Sequence, residues 1–495
     1  MLKKEFVILL FLILGALAVR LYHFDSPVID WHSWRQVDTS SVSKNFVESG
    51  FNLLHPKFHD FSKGVSLLDN PNGLRFVEFP FYNVLQAGFF SLFGKFTLEQ
   101  WGRLVSIFSS LTAIVFLYLL VRKYLSIYAA FWSAFFYAFT PYSIYYSRAL
   151  LPDPMMVMFM LGGFYFFDRA IEKGVITWKF FLLSILFTAS AVLIKPFVFF
   201  FFIGFVYLFF RQFGIGFLKK KELWIFLICT AVPFIAWRVW MQQYPEGIPQ
   251  SNWLFNGNNV RFKGAFLRWI FADRIAHLLL GYFGLPFVIL GVIGKIKKEG
   301  LLFLSFGVSS LIYINVIATG NVQHDYYQLL IFPTIAIFFG KGVDLALRGS
   351  KEVFNRIVSV PTVFVCIALM LALGWYRVRD FYALQHYEVV RVGEIVDRIA
   401  PKNAKIIAPY GGDTTFLYYT KRNGWPVVDR PFYEFIDMGA QYIVFVNPTK
   451  DDFNLQELFT PVETGINYAI FDLTKPTAKG VAVLEFEEKR DKNGK

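Results

Sequence analysis

The chain has 495 residues, of which 56% are hydrophobic, 20% aromatic and 17% charged, with 61 phenylalanines and a mean hydropathy of +0.46. Soluble domains run at about 45 to 50% apolar and about 25% charged, so this balance excludes a disordered chain and argues strongly against a soluble enzyme. The net charge of +13 does not point to nucleic acid, because the lysines and arginines fall in short clusters between apolar runs, the pattern of membrane topology.

The first apolar run, Phe6 to about Leu21, follows Lys3 and Lys4 and is succeeded by Tyr22 and His23 rather than by a small-residue cleavage site. It reads as an uncleaved first span with the amino terminus in the cytoplasm. Further runs long enough for about 30 Å of hydrocarbon lie near 101–121, 126–144, 154–167, 177–194, 196–210, 222–240, 276–294, 301–318, 329–345 and 357–376, about eleven spans in all. Basic clusters alternate between them: Arg122 and Lys123, Arg169 and Lys173, Arg211 with Lys219 to Lys221, Lys295 with Lys297 and Lys298, and Arg348 with Lys351 and Arg356. All fall on the side of Lys3 and Lys4, as the positive-inside rule requires. Cys229 and Cys366 lie inside apolar runs, so no disulfide framework is encoded.

The intervening connections are expected outside: a large first loop of about 23–100, a tight one from Arg148 to Asp153, a medium one from Gln242 to Asp273 and a short one from Asn321 to Gln328. In the first loop, Asp38 followed by Thr39, Ser40 and Ser41 suits a helix start, with Val42, Phe46 and Val47 forming an apolar face along the membrane surface. A second amphipathic segment is expected over about 79–96. From about Arg377 the composition turns mixed polar, with Val389, Val392, Ile395, Val396 and Ile399 at helical spacing, then the strand-like runs AKIIAPY, QYIVFVNP and NYAIFDL. The organisation expected is therefore a membrane domain over 1–376 and a small α/β domain over 377–495, the latter outside the cytoplasm.

Polar residues that composition leaves unexplained gather at the outer ends of the spans. Asp30, Asp38 and Glu78 are the first-loop carboxylates in the most apolar surroundings, suited to general-base work on a hydroxyl or amine; the plainer readings are an N-cap for Asp38 and a turn residue for Asp30. Asp153 and Arg148 sit between two spans with almost no loop to solvate them, which marks intramembrane ionisable groups as functional candidates. His324 and Asp325 stand in a dense polar stretch whose Tyr326 and Tyr327 also fit an interfacial aromatic belt. Lys195, Arg238 and Arg261 are cations able to meet a lipid phosphate or simply to snorkel. His55 and His59 have a helical spacing, but Pro56 lies between them and no ligand cluster supports a metal site. Motifs for nucleotide binding or hydrolysis are lacking from the sequence, which disfavours cytosolic nucleotide hydrolysis as a driving force.

The segments DWHSWRQVDT, NPNGLRFVEFPFYN, RALLPDPMM and QHDYYQL resemble motifs of membrane glycosyltransferases of the GT-C fold, in the branch related to protein O-mannosyltransferases and lipid A aminoarabinose transferases. The resemblance covers roughly the first three quarters of the chain. It implies a sugar donor on a polyprenyl phosphate, an acceptor glycan, lipid or protein outside the cytoplasm, and a plasma (inner) membrane location. It further implies a first-loop carboxylate as base, Asp153 as an organiser of the site, and Arg35, Arg148, Lys195, His324, Tyr326 and Tyr327 on the donor side, with Glu78 on the acceptor side. One departure matters: relatives often carry an Asp-Glu pair at the start of the first-loop helix, where this chain has Arg35 and Gln36. The base is then Asp30 or Asp38. The sequence assigns no cofactor and leaves a divalent metal ion open. Asp153→Asn is expected to abolish transfer with stability nearly intact. The competing readings are a lipid-linked glycan polymerase or ligase, and a transporter or flippase; the crowding of ionisable residues at span ends rather than mid-span favours an enzyme.

Overall fold

The structure is a computed structural model that describes residues 3–172, 174–295, 298–349 and 355–493. Lys173, Lys297 and Lys351 of the expected basic clusters lie outside the described residues. The first eight helices are α1 (Lys3–Arg20), α2 (Ser33–Ser49), α3 (Phe81–Phe93), α4 (Leu98–Tyr124), α5 (Ile127–Phe139), α6 (Pro141–Tyr146), α7 (Asp153–Ile171) and α8 (Trp178–Ile194). The chain divides into two compact units. One comprises Met1–Phe24, Gln100–Trp240 and Ser251–Tyr382; the other comprises Asp25–Glu99, Met241–Gln250 and Ala383–Lys495. The first long loop thus groups with the carboxy-terminal segment rather than with the helices that flank it.

The first unit is helical. Four helices are long and apolar enough to cross a membrane by length and composition: Leu98–Tyr124, Pro196–Lys219, Lys221–Met241 and Arg356–Tyr382. Shorter apolar helices include Ile127–Phe139, Trp178–Ile194 and Leu302–Val316. Prolines set several breaks, because the residue before a proline is pushed out of the helical region. Thr140 is extended before Pro141 and divides α5 from α6, and Lys195 is extended (φ −145°, ψ 123°) before Pro196, ending α8. Glycines let helices touch: a Cβ on Gly342 would lie 1.8 Å from the Phe287 carbonyl, and one on Gly291 would lie 1.9 Å from that of Phe338. Small residues at such crossings are how apolar helices approach closely where no water drives them together. Arg20 is buried at the end of α1 but satisfied, donating to the Ala16 and Ala138 carbonyls at 2.9 and 2.7 Å and to the Ser147 hydroxyl at 2.6 Å.

The second unit is built on five strands, β1 (Lys405–Ile407), β2 (Asn423–Trp425), β3 (Ala440–Val446), β4 (Phe459–Thr464) and β5 (Tyr468–Pro476), in the order β2-β1-β3-β5-β4. β1 runs parallel to β2 and β3, whereas β5 is antiparallel to β3 and β4. The helix Glu388–Ile399 buries Val389, Val392 and Val396 against Ile406, Val444 and Ile470, as its spacing foretold. The loop segment is stitched to the sheet edge: Gly424 donates to the His59 carbonyl at 2.9 Å and Phe61 donates to the Gly424 carbonyl at 2.8 Å.

α2 differs from the expectation in two ways. It begins at Ser33, so Asp38 stands mid-helix and is no N-cap. Its buried face is largely polar: Ser43 donates to Gln86 Oε1 at 2.7 Å, Gln86 Nε2 donates to Ser40 Oγ at 3.0 Å, and Asn83 of α3 donates to the Thr39 carbonyl at 2.6 Å. Val42 and Phe46 are buried with this face, whereas Val47 is exposed. A polar pair of helices survives burial when each group is hydrogen-bonded, and here they bond one another.

Candidate active site

In the helical unit, Asp153 is the first residue of α7, between Pro152 and Pro154, and is buried. Its Oδ1 accepts a 2.6 Å bond from Lys195 Nζ, whose orientation follows from the extended Lys195-Pro196 step. The Lys195 ammonium also lies 5.3 Å from the Tyr326 ring centroid and 5.2 Å from that of Tyr327, within cation–π range. Asp153 Oδ2 is buried and, among the described residues, has no hydrogen-bond partner. A buried ammonium held by one carboxylate oxygen and two ring faces keeps most of its donor capacity, and the adjacent bare oxygen keeps its lone pairs. The expected Asp153, Lys195, Tyr326 and Tyr327 are thus brought together.

The neighbouring segment is braced. Tyr146 donates to Asp325 Oδ1, Tyr142 donates to the Asp325 carbonyl at 2.8 Å, and Arg274 Nη1 lies 3.7 Å from Asp325 Oδ2. Arg274 also donates to the Val322 carbonyl at 2.6 Å. His324 stacks on Tyr326 with ring centroids 5.4 Å apart, and meets Trp253 edge-on at 5.5 Å. Arg148 does not join the Lys195 cluster. Its guanidinium lies 5.5 Å from the Tyr145 ring and 4.9 Å from the Tyr382 ring, and Nη1 donates to the His23 carbonyl at 3.0 Å.

In the second unit, Asp30 lies on the turn that precedes α2, where Ser33 donates to the Asp30 carbonyl at 3.0 Å and Gln36 Nε2 donates to Asp30 Oδ1 at 2.7 Å. Between them His32 is left-handed, φ 57° and ψ 36°. Arg35 donates to Thr39 Oγ1 at 2.8 Å and forms an ion pair with Glu78, so these two expected site residues bind one another. Asp38 has both oxygens engaged: Thr414 Oγ1 donates to Oδ1 at 2.7 Å and Arg75 Nη2 lies 2.9 Å from Oδ2. The carboxy-terminal segment adds Tyr418, whose hydroxyl donates to Glu99 at 2.5 Å, and Thr415, whose hydroxyl donates to Ser33 Oγ at 3.0 Å.

His59 is buried in this network with Nε2 3.2 Å from the Thr414 carbonyl. A carbonyl only accepts, so Nε2 carries the proton and Nδ1 presents a lone pair. Burial pushes the His59 pKa down to about 4 and the carboxyl of Asp60 beside it up to about 6. His55 lies apart, with Nδ1 3.3 Å from Asn52 Oδ1. Among the described residues no group of three or more His, Cys, Asp or Glu is placed to hold a metal ion.

Arg75, Arg274 and Thr414 were not singled out by the sequence. Arg75 lay inside the quoted segment NPNGLRFVEF, and Asp273-Arg274 was a charged pair set among apolar residues. Thr414 followed GGD directly ahead of a short helix, the signature of a turn rather than of a site.

Residues 73–240 match the family model described as dolichyl-phosphate-mannose-protein mannosyltransferase. The chain has the GT-C fold of membrane glycosyltransferases, the class to which the sequence motifs pointed. Among solved structures it is similar to ArnT from Cupriavidus metallidurans bound to undecaprenyl phosphate, with TM-score 0.66, 12% identity, and coverage of 94% of this chain and 97% of that one. It is also similar to the Archaeoglobus fulgidus oligosaccharyltransferase tethered with an acceptor peptide, with TM-score 0.59, 10% identity, and coverage of 97% and 76%. The arabinofuranosyltransferase AftD from Mycobacteria matches with TM-score 0.54 and 12% identity over 94% of this chain and 41% of that one. At these identities the likeness is one of fold. A search of the curated proteins gives no match.

Proposed function

We propose that this chain is an integral-membrane glycosyltransferase that moves a hexosyl or pentosyl unit from a polyprenyl-phosphate donor to a glycan, lipid or protein acceptor outside the cytoplasm. The observation that carries the reading is the full-length likeness to ArnT, a protein solved with undecaprenyl phosphate bound, over 94% of this chain and 97% of that one. On this reading the protein sits in the plasma (inner) membrane with about eleven spans, its amino terminus cytoplasmic and its residues 25–99 and 383–495 outside.

The chemistry needs a base for the acceptor and cations for the leaving phosphate. A carboxylate takes the proton of the acceptor hydroxyl or amine as the acceptor atom bonds to the anomeric carbon. The sugar–phosphate C–O bond breaks, its electron pair going to the polyprenyl phosphate, and charge builds on that phosphate through an oxocarbenium-like state. Lys195 is the cation assigned to it, oriented by Asp153 and framed by Tyr326 and Tyr327. His324 stacks against that tyrosine pair, while Arg274 and Asp325 brace the segment that carries it.

Asp30 is the base. Asp38 spends both oxygens on Arg75 and Thr414 and serves to tie α2 to the carboxy-terminal segment. Asp30, whose Oδ1 accepts from Gln36, stands at a turn whose His32 holds a left-handed backbone, a conformation that costs about 1–3 kcal/mol and persists where the surroundings fix it, often at functional sites. Glu78, paired to Arg35, steadies the first turns of the same helix.

Mass spectrometry of membrane lipids and glycans after deletion of the gene tests the reading. Accumulation of a polyprenyl-phosphate sugar together with a glycan lacking one residue supports it. Unchanged lipid and glycan profiles in a strain without a redundant copy contradict it.

A further inference from the structure

Beside the C-terminal half of α2 the second unit carries an open cleft of about 330 Å³. That volume lies at the lower end of the range of about 300–1,000 Å³ seen for small-molecule sites. Four carboxamides line it, from Asn45, Asn52, Asn72 and Asn423, and Lys57 is its one fixed charge. Phe46 and Phe58, both buried, back its wall, and half-buried Phe61 supplies apolar surface.

The walls are pinned from several stretches of chain. Phe58 donates to the Gly73 carbonyl at 2.7 Å, Arg75 to the Pro56 carbonyl at 2.9 Å, and Phe61 to the Gly424 carbonyl at 2.8 Å. A site fixed in this way loses little freedom on binding. Next to it a smaller hollow shares Asn45, Phe58 and Asn423 and reaches His59. His59 Nδ1 is buried with no hydrogen-bond partner among the described residues.

The lining decides the ligand class. Each carboxamide both donates and accepts, as a sugar hydroxyl does, and neighbouring hydroxyls match a row of such groups. An aromatic face carries negative charge and attracts the weakly positive C–H face of a sugar ring, and half-buried Phe61 is the phenylalanine of the lining with ring surface left for it. A single lysine is too little for a polyanion, and without a carboxylate the cleft offers nothing to a cation. His59 lines the smaller hollow beside Lys44, Glu48 and Arg422 rather than the cleft, and takes no part in this match.

We propose that this cleft binds a neutral oligosaccharide, the distal sugars of a glycan acceptor. The proposal rests on the transferase reading and names its acceptor class. α2 is 17 residues long, about 25 Å, with Asp30 ahead of its first turn and Asn45 in its fourth, so the cleft holds sugars several units from the one modified.

The test is titration calorimetry on the purified full-length chain without donor, using hexasaccharides of mannose, glucose, galactose and N-acetylglucosamine, with heparin as the polyanion control. Saturable binding of at least one neutral hexasaccharide, weakened tenfold or more by the double variant Asn45→Ala/Asn423→Ala, is expected. Binding of none, equal binding by the variant, or binding of heparin alone overturns the proposal. Because these positions are exposed or half-buried, the variant is checked for folding by its elution volume and melting temperature, and Asn72→Ala provides an independent second variant. The two readings fail separately: a chain that binds the sugar but never cleaves the donor keeps the cleft and loses the transferase, whereas transfer without oligosaccharide binding does the reverse.

Discussion

The two units each bury a carboxylate against a cation, and they use it differently. Asp38 is closed: Arg75 holds one oxygen and Thr414 the other, each from a different stretch of chain. Asp153 is half open, with Lys195 on Oδ1 and no partner for the buried Oδ2 among the described residues. A buried pair whose groups are all satisfied is scaffold, because breaking it strands a charge. A pair with spare capacity is poised to meet another molecule. Burial alone therefore does not separate structural from catalytic carboxylates; the fate of each oxygen does.

The largest effect is expected at the base: Asp30→Asn should lower transfer by about 10²–10⁴-fold with a melting temperature close to that of the wild type. Wild-type rates in that variant remove Asp30 from the mechanism and return Asp38 as the base. Next, Asp38→Asn should act mainly on stability, costing about 3–5 kcal/mol because Arg75 is left buried and unpaired. A variant that melts normally but is inactive reverses the roles assigned here.

For Asp153 the ion pair changes the expectation: Asp153→Asn should lower stability, since it strips Lys195 of its carboxylate. The cleaner variant is Asp153→Asn/Lys195→Met, which removes both charges; it should melt above the single variant yet transfer about 10²–10³-fold more slowly than the wild type. Normal transfer in the double variant excludes Lys195 as the phosphate cation.

The smallest effect is a pH dependence. His59, held at about 4 against 6.5 when free, stays neutral in the folded chain while the unfolded chain takes a proton, so its contribution to stability falls as pH drops from 6.5 to 4. Asp60, raised from 3.8 to about 6, holds a proton that the unfolded chain has lost, so its contribution rises as pH drops through that window. The two oppose one another at about 3 kcal/mol each. Relative to the wild type, His59→Gln should gain stability on acidification from pH 6.5 to 4 and Asp60→Asn should lose it, read as melting temperatures across that range. Curves parallel to the wild type in both variants contradict this account.

Much of the fold was legible because its signals are local. Apolar runs gave the long helices, Val389, Val392 and Val396 gave the helix Glu388–Ile399, and the runs containing Ile406, Val444 and Ile470 gave β1, β3 and β5. β2 and β4 escaped notice: one is three residues long, the other contains Pro461, and both lie at sheet edges, where propensity is weak. The N-cap of α2 was placed at Asp38 rather than His32, six residues late, because the helix's buried side carries Arg35, Gln36, Asp38, Thr39, Ser40 and Ser43, and no apolar period marks such a helix. The ionisable residues of the site were visible as types, but their pairing was not. Lys195 and Asp153 are 42 residues apart, and Thr414 is 376 residues from Asp38; only the folded chain joins them.

The central claim is cleavage of a lipid-phosphate sugar, and release of free polyprenyl phosphate measures it directly. The purified chain in lipid nanodiscs is supplied with polyprenyl-phosphate sugars extracted from the deletion strain and with glycans from the same cells. The account predicts polyprenyl phosphate released in step with sugar incorporated into glycan, and neither product from the Asp30→Asn chain. Donor that stays whole in the nanodiscs, together with donor that crosses the bilayer intact when the chain is placed in vesicles, would contradict it and identify a flippase instead.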